Sequence, residues 1–195
     1  MKWKPGYPLD LKAVLERSVS SEEIESLVKQ SSSVPRFVYG ALKLPTVLKY
    51  FLDLPQSAKV NMICAQLPGY ELYHFSKKDC LPTIRPSEDP NALVEGMLIF
   101  GLDEEQRNQI YEVEDSGCGQ SKLVHVQVEV IVEEVLANLP RISSMSRLKL
   151  DAGTLVWNST MQGLEPMGSN CWLPDNFLEC QLYKNIERLQ NSGQT

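Results

Sequence analysis

Apolar residues recur at spacings of three and four over residues 9–17 and 22–30, which is the repeat of a helix that buries one face. Ser20-Ser21-Glu22-Glu23, ahead of the second run, has the form of a capping box, so the chain is expected to open with two packed surface helices. Ser31-Ser32-Ser33 and then Pro35 break this pattern. From Arg36 the period shortens. Phe37-Val38-Tyr39 reads as a strand running into Gly40-Ala41-Leu42-Lys43, and Pro45 opens a helix to Asp53 with Val47, Leu48, Phe51 and Leu52 as its apolar stripe. Residues 60–67, 70–75, 82–85 and 93–101 follow as short strands, punctuated by Pro68-Gly69, Lys77-Lys78-Asp79 and a turn over 87–91. They are expected to form an antiparallel meander.

Residues 102–114 return to a helical repeat, with Leu102, Ile110 and Val113 near one face and a flexible Ser-Gly-Cys-Gly turn behind. Residues 123–132 alternate as a strand, and 153–157 supply one more. Between them, 133–150 reads as a peripheral, mobile insertion with a helical start at 133–139. Behind Pro174, residues 175–189 carry Phe177, Leu178, Leu182, Ile186 and Leu189 at helical spacing. Several twisted strands imply closure, so the expected fold is α+β: a small mixed β-barrel with flanking helices. The expected organisation is a helical arm over 1–33, a barrel domain with its C-terminal helix over 34–189, and a polar tail over 190–195.

The 195 residues suffice for one well-filled core, and 43% hydrophobic with 23% charged residues is ordinary for a globular domain. A net charge of −6, with Lys and Arg scattered, argues against a nucleic-acid partner, which requires a basic stripe. No apolar run reaches membrane-spanning length and the N-terminus lacks a secretory h-region, so a cytoplasmic protein with no membrane partner is expected. Five cysteines, Cys64, Cys80, Cys118, Cys171 and Cys180, form an odd set without a CxxC pair. Reduced thiols are expected. His74 and His125 are too far apart to suggest a motif, so neither a metal site nor a Cys–His nucleophile pair has support. Cys118, beside Glu114 in the glycine-flanked turn, reads as an exposed turn cysteine.

Glu114 is the candidate for chemistry. It lies four residues after Ile110 on the apolar face of its helix. An ionised carboxylate placed there costs free energy unless it is paired, and left unpaired its pKa rises toward the range useful for proton transfer. The plain alternative is a helix-end glutamate turned to solvent.

Three features fall in chain order: the Val38-Tyr39-Gly40-Ala41-Leu42 loop, the Leu67-Pro68-Gly69-Tyr70 turn followed by Val94-Glu95-Gly96-Met97-Leu98, and the helix ending in Glu114. This ordered set, over residues 37–157, resembles the γ-glutamylcyclotransferase-like family, in particular its plant and fungal avirulence-induced-gene branch. The Cys171-Trp172-Leu173-Pro174 segment with Phe177 is also similar to fungal members. The resemblance implies a small barrel with outer helices and a cavity at the glycine loop, where a γ-glutamyl compound cyclises to 5-oxoproline and releases an amine. It implies Glu114 as general acid and base, and Tyr39, Gly40, Ala41, Leu42 and Lys43 as substrate-binding residues. It implies a small-molecule substrate and no metal or organic cofactor, and it leaves the oligomeric state open, a homodimer included. Two departures stand out: Ala41 replaces the family's Thr or Ser, and the family's Tyr shortly after the glutamate is missing, Ser121 being the nearest counterpart. Two alternatives therefore stay open. One is a cyclase or other proton-transfer enzyme acting on a fungal secondary metabolite, and the other is a non-catalytic binding module on the same fold.

Overall fold

Strand β1 (Arg36–Val38) is only three residues long, yet every residue in it is buried, because it closes a barrel. A computed structural model describes residues 1–75, 78–115, 120–135 and 143–192 of the chain. Ahead of β1 lie helices α1 (Leu9–Leu15) and α2 (Ser21–Gln30). After it come a 3-10 turn (Ala41–Lys43), helix α3 (Pro45–Phe51), and strands β2 (Asn61–Pro68), β3 (Tyr70–Phe75), β4 (Lys78–Pro86) and β5 (Leu93–Phe100). Helix α4 (Glu104–Asp115), strands β6 (Ser121–Val135), β7 (Ser143–Trp157) and β8 (Leu164–Pro166), and helices α5 (Asp175–Glu179) and α6 (Gln181–Ser192) complete the order.

The barrel runs β1-β5-β2-β6-β7 and closes by a parallel contact of Arg36 with Gly153; its other pairings are antiparallel. The expected mixed barrel with flanking helices is therefore present. Period-two alternation decides its two faces. Phe37, Ile63, Ala65, Leu67, Val94, Leu98, Phe100 and the alternate valines 126, 128, 130 and 132 form one buried cluster. Val38, Met62, Met97 and Ile99 point the other way, into a second cluster completed by Leu11, Leu48, Ile110, Phe177 and Ile186 of the outer helices. Leu11 is fully buried there, so truncating it to Ala removes about 3 kcal/mol of stability, read as a lower midpoint in urea unfolding at unchanged slope.

The expected meander is corrected. β2 pairs along its whole length with β5, from Asn61 against Phe100 to Pro68 against Leu93, while β3 pairs with β4 and β8 in a separate three-stranded sheet. Gly69 makes the exit. Its φ of +76° is one that residues with a side chain rarely adopt. Its N–H donates to the Ala92 carbonyl at 2.8 Å and its carbonyl accepts from the Ser87 N–H at 2.9 Å, so the β3–β4 hairpin leaves and re-enters at one point. Alternation sets which face of a strand is buried but not which neighbour it takes.

The 133–150 insertion is corrected as well. β6 continues to Val135 and β7 begins at Ser143, paired residue for residue from Ser121 with Trp157 to Val135 with Ser143. The buried valines of β6 continue to Val132, so the alternation carries the strand past its expected end. Residues 136–142, including most of the expected helical start, lie outside the described residues, as does Cys118. The expected C-terminal helix is two helices, separated at Cys180, whose backbone is extended (φ −74°, ψ 154°). At the start of the chain, Ser20 accepts from the Glu23 N–H at 3.2 Å as the capping pattern predicts, but the Glu23 carboxylate pairs with Arg17.

Candidate active site

Helix α4 begins with a reciprocal cap: Asp103 Oδ1 accepts from the Gln106 N–H at 2.8 Å, and Gln106 Oε1 accepts from the Asp103 N–H at 3.2 Å. The cap sets the register of the helix. Ile110 is then fully buried, and one turn later the Glu114 side chain is only 11% exposed.

The nearest counter-charge is Arg36, the first residue of β1. Two hydrogen bonds anchor β1 to β7 on this side, from the Gly153 N–H to the Pro35 carbonyl at 2.9 Å and from Thr154 Oγ1 to the Phe37 carbonyl at 2.9 Å. Arg36 Nε lies 4.0 Å from Glu114 Oε2, and both atoms are buried without a hydrogen-bond partner. The contact is too long to be a hydrogen bond. Burial therefore outweighs the guanidinium, and the Glu114 carboxyl is pushed up from 4.5 to about 7.

Glu114 lines a cavity of about 250 Å³. The opposite wall is Tyr39 with Gly40, Ala41 and Leu42 of the 3-10 turn. Among the described residues no acceptor takes the N–H of Gly40, Ala41 or Leu42, as expected for the first groups of a helical turn. Space at Gly40 is tight: a Cβ there would sit 3.1 Å from Cδ of Pro82, so the proline ring would have to give by a few tenths of an ångström. The Tyr39 hydroxyl donates to the Leu155 carbonyl at 2.9 Å, and burial raises its pKa far above the ordinary phenol range. Glu114 and residues 39–42 thus line one common hollow.

Lys43 is not brought to this hollow. Its side chain is 1% exposed and turns to a second cavity, of about 370 Å³, on the outer face of β2 and β5. There Nζ donates to the Trp172 carbonyl at 2.7 Å and lies 3.5 Å from Cys171 Sγ. Ser121, the counterpart of the missing tyrosine, sits at the start of β6, where its N–H donates to Asp115 Oδ1 at 3.1 Å, and it does not line the Glu114 cavity. Among the described residues, Tyr39 is the tyrosine that does.

Sequence reasoning missed Arg36 beside Glu114, and among the cavity's walls it missed Phe51, Pro82, Glu112, Phe177 and Leu182. Phe51, Phe177 and Leu182 were visible as members of apolar helical stripes. Nothing local marked Arg36, because a single basic residue before a strand is ordinarily solvated.

Residues 36–173 match the family model described as Gamma-glutamyl cyclotransferase, AIG2-like. The chain belongs to that family. Among solved structures it is similar to a protein of Arabidopsis thaliana determined in solution (22% identity, 83% of this chain and 84% of that one covered, TM-score 0.46). It is also similar to the YtfP protein of Escherichia coli (15% identity, 73% and 98% covered, TM-score 0.41) and to a protein named gamma-glutamyl cyclotransferase (13% identity, 82% and 98% covered, TM-score 0.45). No curated protein matches the chain.

Proposed function

We propose that this protein cyclises a γ-glutamyl compound by intramolecular aminolysis, releasing 5-oxoproline and an amine, with Glu114 as the general acid and base. The observation that carries this reading is the carboxyl group of Glu114, nearly buried and without a hydrogen bond at Oε2, in one cavity with residues 40–42, whose main-chain N–H groups meet no acceptor among the described residues.

An α-ammonium has no lone pair, so the Glu114 carboxylate first takes a proton from it. The freed nitrogen attacks the γ-carbonyl carbon, closing a five-membered ring. Negative charge then grows on the carbonyl oxygen. The N–H groups of Gly40, Ala41 and Leu42 can hold that charge or the substrate's α-carboxylate, since no acceptor among the described residues competes for them. When the carbonyl re-forms, the bond to the leaving amine breaks and Glu114 returns its proton to that nitrogen, while the ring nitrogen gives up its second proton to the departing amine or to water and keeps the single lactam N–H. A residue that both takes and gives a proton works best with a pKa near the working pH, which is where burial puts Glu114. Holding the substrate folded supplies much of the remaining acceleration, since well-oriented intramolecular attack reaches effective molarities of about 10⁵ M or more.

Incubation with glutathione and with γ-glutamyl dipeptides, followed by mass spectrometry, tests the reaction: 5-oxoproline is the expected product, and its absence from every γ-glutamyl compound rejects the proposal. A second measurement addresses the proton. Only ionised Glu114 is a base, so kcat/KM is expected to rise with pH along a limb centred at about 7. A limb centred near 4.5, or a flat profile across this range, would remove Glu114 from the role.

Besides Ala41 and the missing tyrosine, the nearness of Arg36 favours a non-catalytic binding module, because an ion pair would neutralise the base. At 4.0 Å, with both atoms unbonded, the pair leaves the carboxyl raised rather than depressed.

A further inference from the structure

We propose that Lys43 and Cys171 form a peroxide-sensitive modification site, in which lysine Nζ and cysteine Sγ become joined by a covalent sulfenamide bond. The site lies outside the Glu114 cavity and takes a small oxidant of the peroxide class as its co-reactant.

The two atoms are already 3.5 Å apart and lie together in the larger cavity. Both side chains belong to buried residues, 1% and 7% exposed. The cavity nevertheless reaches the surface, since its lining includes the exposed Glu16, Ser18 and Cys64. A peroxide can enter.

A buried lysine is ordinarily paired with a carboxylate. Lys43 forms no such ion pair among the described residues: Nζ donates to the Trp172 carbonyl at 2.7 Å and lies 3.5 Å from the Cys171 thiol, while the Glu95 carboxylate of the same cavity, which attracts Lys43 and bonds Cys171, is paired with the Met1 ammonium. The carbonyl holds the nitrogen in place. Burial lowers the lysine pKa, which raises the fraction of free amine available as a nucleophile.

The usual fate of an oxidised thiol is capture by a second thiol. Here the topology opposes it. Cys171 bridges to Glu95 on one edge of β5, the edge that also carries β1, whereas Cys64 of β2 pairs with Met97 on the other edge. β5 therefore stands between the two cysteines. Two strand spacings of about 4.8 Å separate their backbones, which exceeds the ~7 Å that a disulfide spans. Lys43 is the amine placed at 3.5 Å, and the Met1 amino group that lines the same cavity is held by the Glu95 carboxylate.

The chemistry closes in two steps. Peroxide oxidises the Cys171 thiol to sulfenic acid: an oxygen atom is added to sulfur, the peroxide O–O bond breaks, and one water leaves. The Nζ lone pair then attacks Sγ, the S–O bond breaks, and the departing hydroxide takes a proton from Nζ as a second water. The sum is amine plus thiol plus hydrogen peroxide giving sulfenamide plus two waters, with sulfur oxidised by two electrons and peroxide reduced by two.

The test treats the folded full chain with dilute hydrogen peroxide and reads intact mass and peptide maps. The expected product has lost two hydrogen atoms, contains Lys43 and Cys171 in one cross-linked peptide, resists tryptic cleavage after Lys43, and reverts with dithiothreitol. Cys171→Ser, a small change at this buried position, should abolish the product. Chain unfolded in urea before the same treatment should not form it, because proximity comes from the fold. If folded wild-type chain instead yields Cys171 as free thiol, as sulfinic acid or in a disulfide, with Lys43 still cleaved, the proposal is overturned. Survival of the cross-link in Cys171→Ser overturns it equally.

Discussion

Replacing Glu114 by Gln is expected to lower the rate of 5-oxoproline release by about 10³-fold, the usual worth of one positioned acid and base. The side chain keeps its shape and loses its basic oxygen, so substrate affinity changes far less than turnover. The same variant carries an independent signature in stability. In the native chain Glu114 titrates at about 7 rather than 4.5, so between those values the folded state binds more protons than the unfolded one. Stability contributed by this group is therefore complete below pH 4.5 and is lost as the pH rises through about 7. Glutamine mimics the protonated acid at every pH. The variant should be more stable than the native chain by about 3 kcal/mol at about pH 8, with the two curves converging under acid conditions. Denaturant melts at a series of pH values measure this directly. Loss of activity without the pH-dependent gain would mean that the carboxyl is not titrating in a buried site. A gain in stability with activity retained would mean that the buried carboxyl has no part in the chemistry.

Gly96→Ala is the second large effect, and it acts on the frame that holds Arg36 and the glycine turn. Gly96 lies in β5 opposite Ala65, and a Cβ at this position would fall inside the contact distance of both the Phe37 ring and the Val38 carbonyl oxygen. Neither neighbour yields easily. Phe37 fills the barrel core with no exposed surface, and the Val38 oxygen belongs to the backbone of β1. Overpacking of this kind costs about 3 kcal/mol, seen as a lower denaturation midpoint. The double variant Gly96→Ala, Phe37→Leu should recover only part of the loss, because shortening the ring leaves the carbonyl clash in place. Full recovery would show that the side chain alone imposes the glycine. Catalytic rate should fall with stability in the single variant, since β1 leads straight into Tyr39 and Gly40.

Much of the site was legible in the chain because its parts are local. The inward turn of Glu114 follows from its spacing after Ile110, and a glycine beside a strand end announces a close approach of main chain. Both signals require only a few neighbouring residues. Lys43 shows where such reading fails. It is adjacent to Leu42 in sequence, yet a 3-10 turn advances each side chain by about a third of a revolution, and this carries it to another cavity and to partners more than a hundred residues away. The pairing of β2 with β5 failed for the same kind of reason: the alternation of β3 and β4 is as good as that of β2, and the competition was decided by which edge closes the barrel.

By itself, then, the amino-acid order determined most of the helices and strands, though not the reach of β6 and β7 or the break at Cys180, and it placed Glu114 on the apolar face of its helix. Those properties are encoded in periodicity and turn chemistry, which act over a handful of residues. Tertiary structure decided the rest: that Arg36 stops 4.0 Å short of Glu114, that residues 39–42 line the same hollow, and that Lys43 faces Cys171. Each of these is a distance between groups far apart along the chain. The proton affinity of a buried group depends on the sum of such distances, so it exists only once the barrel has closed.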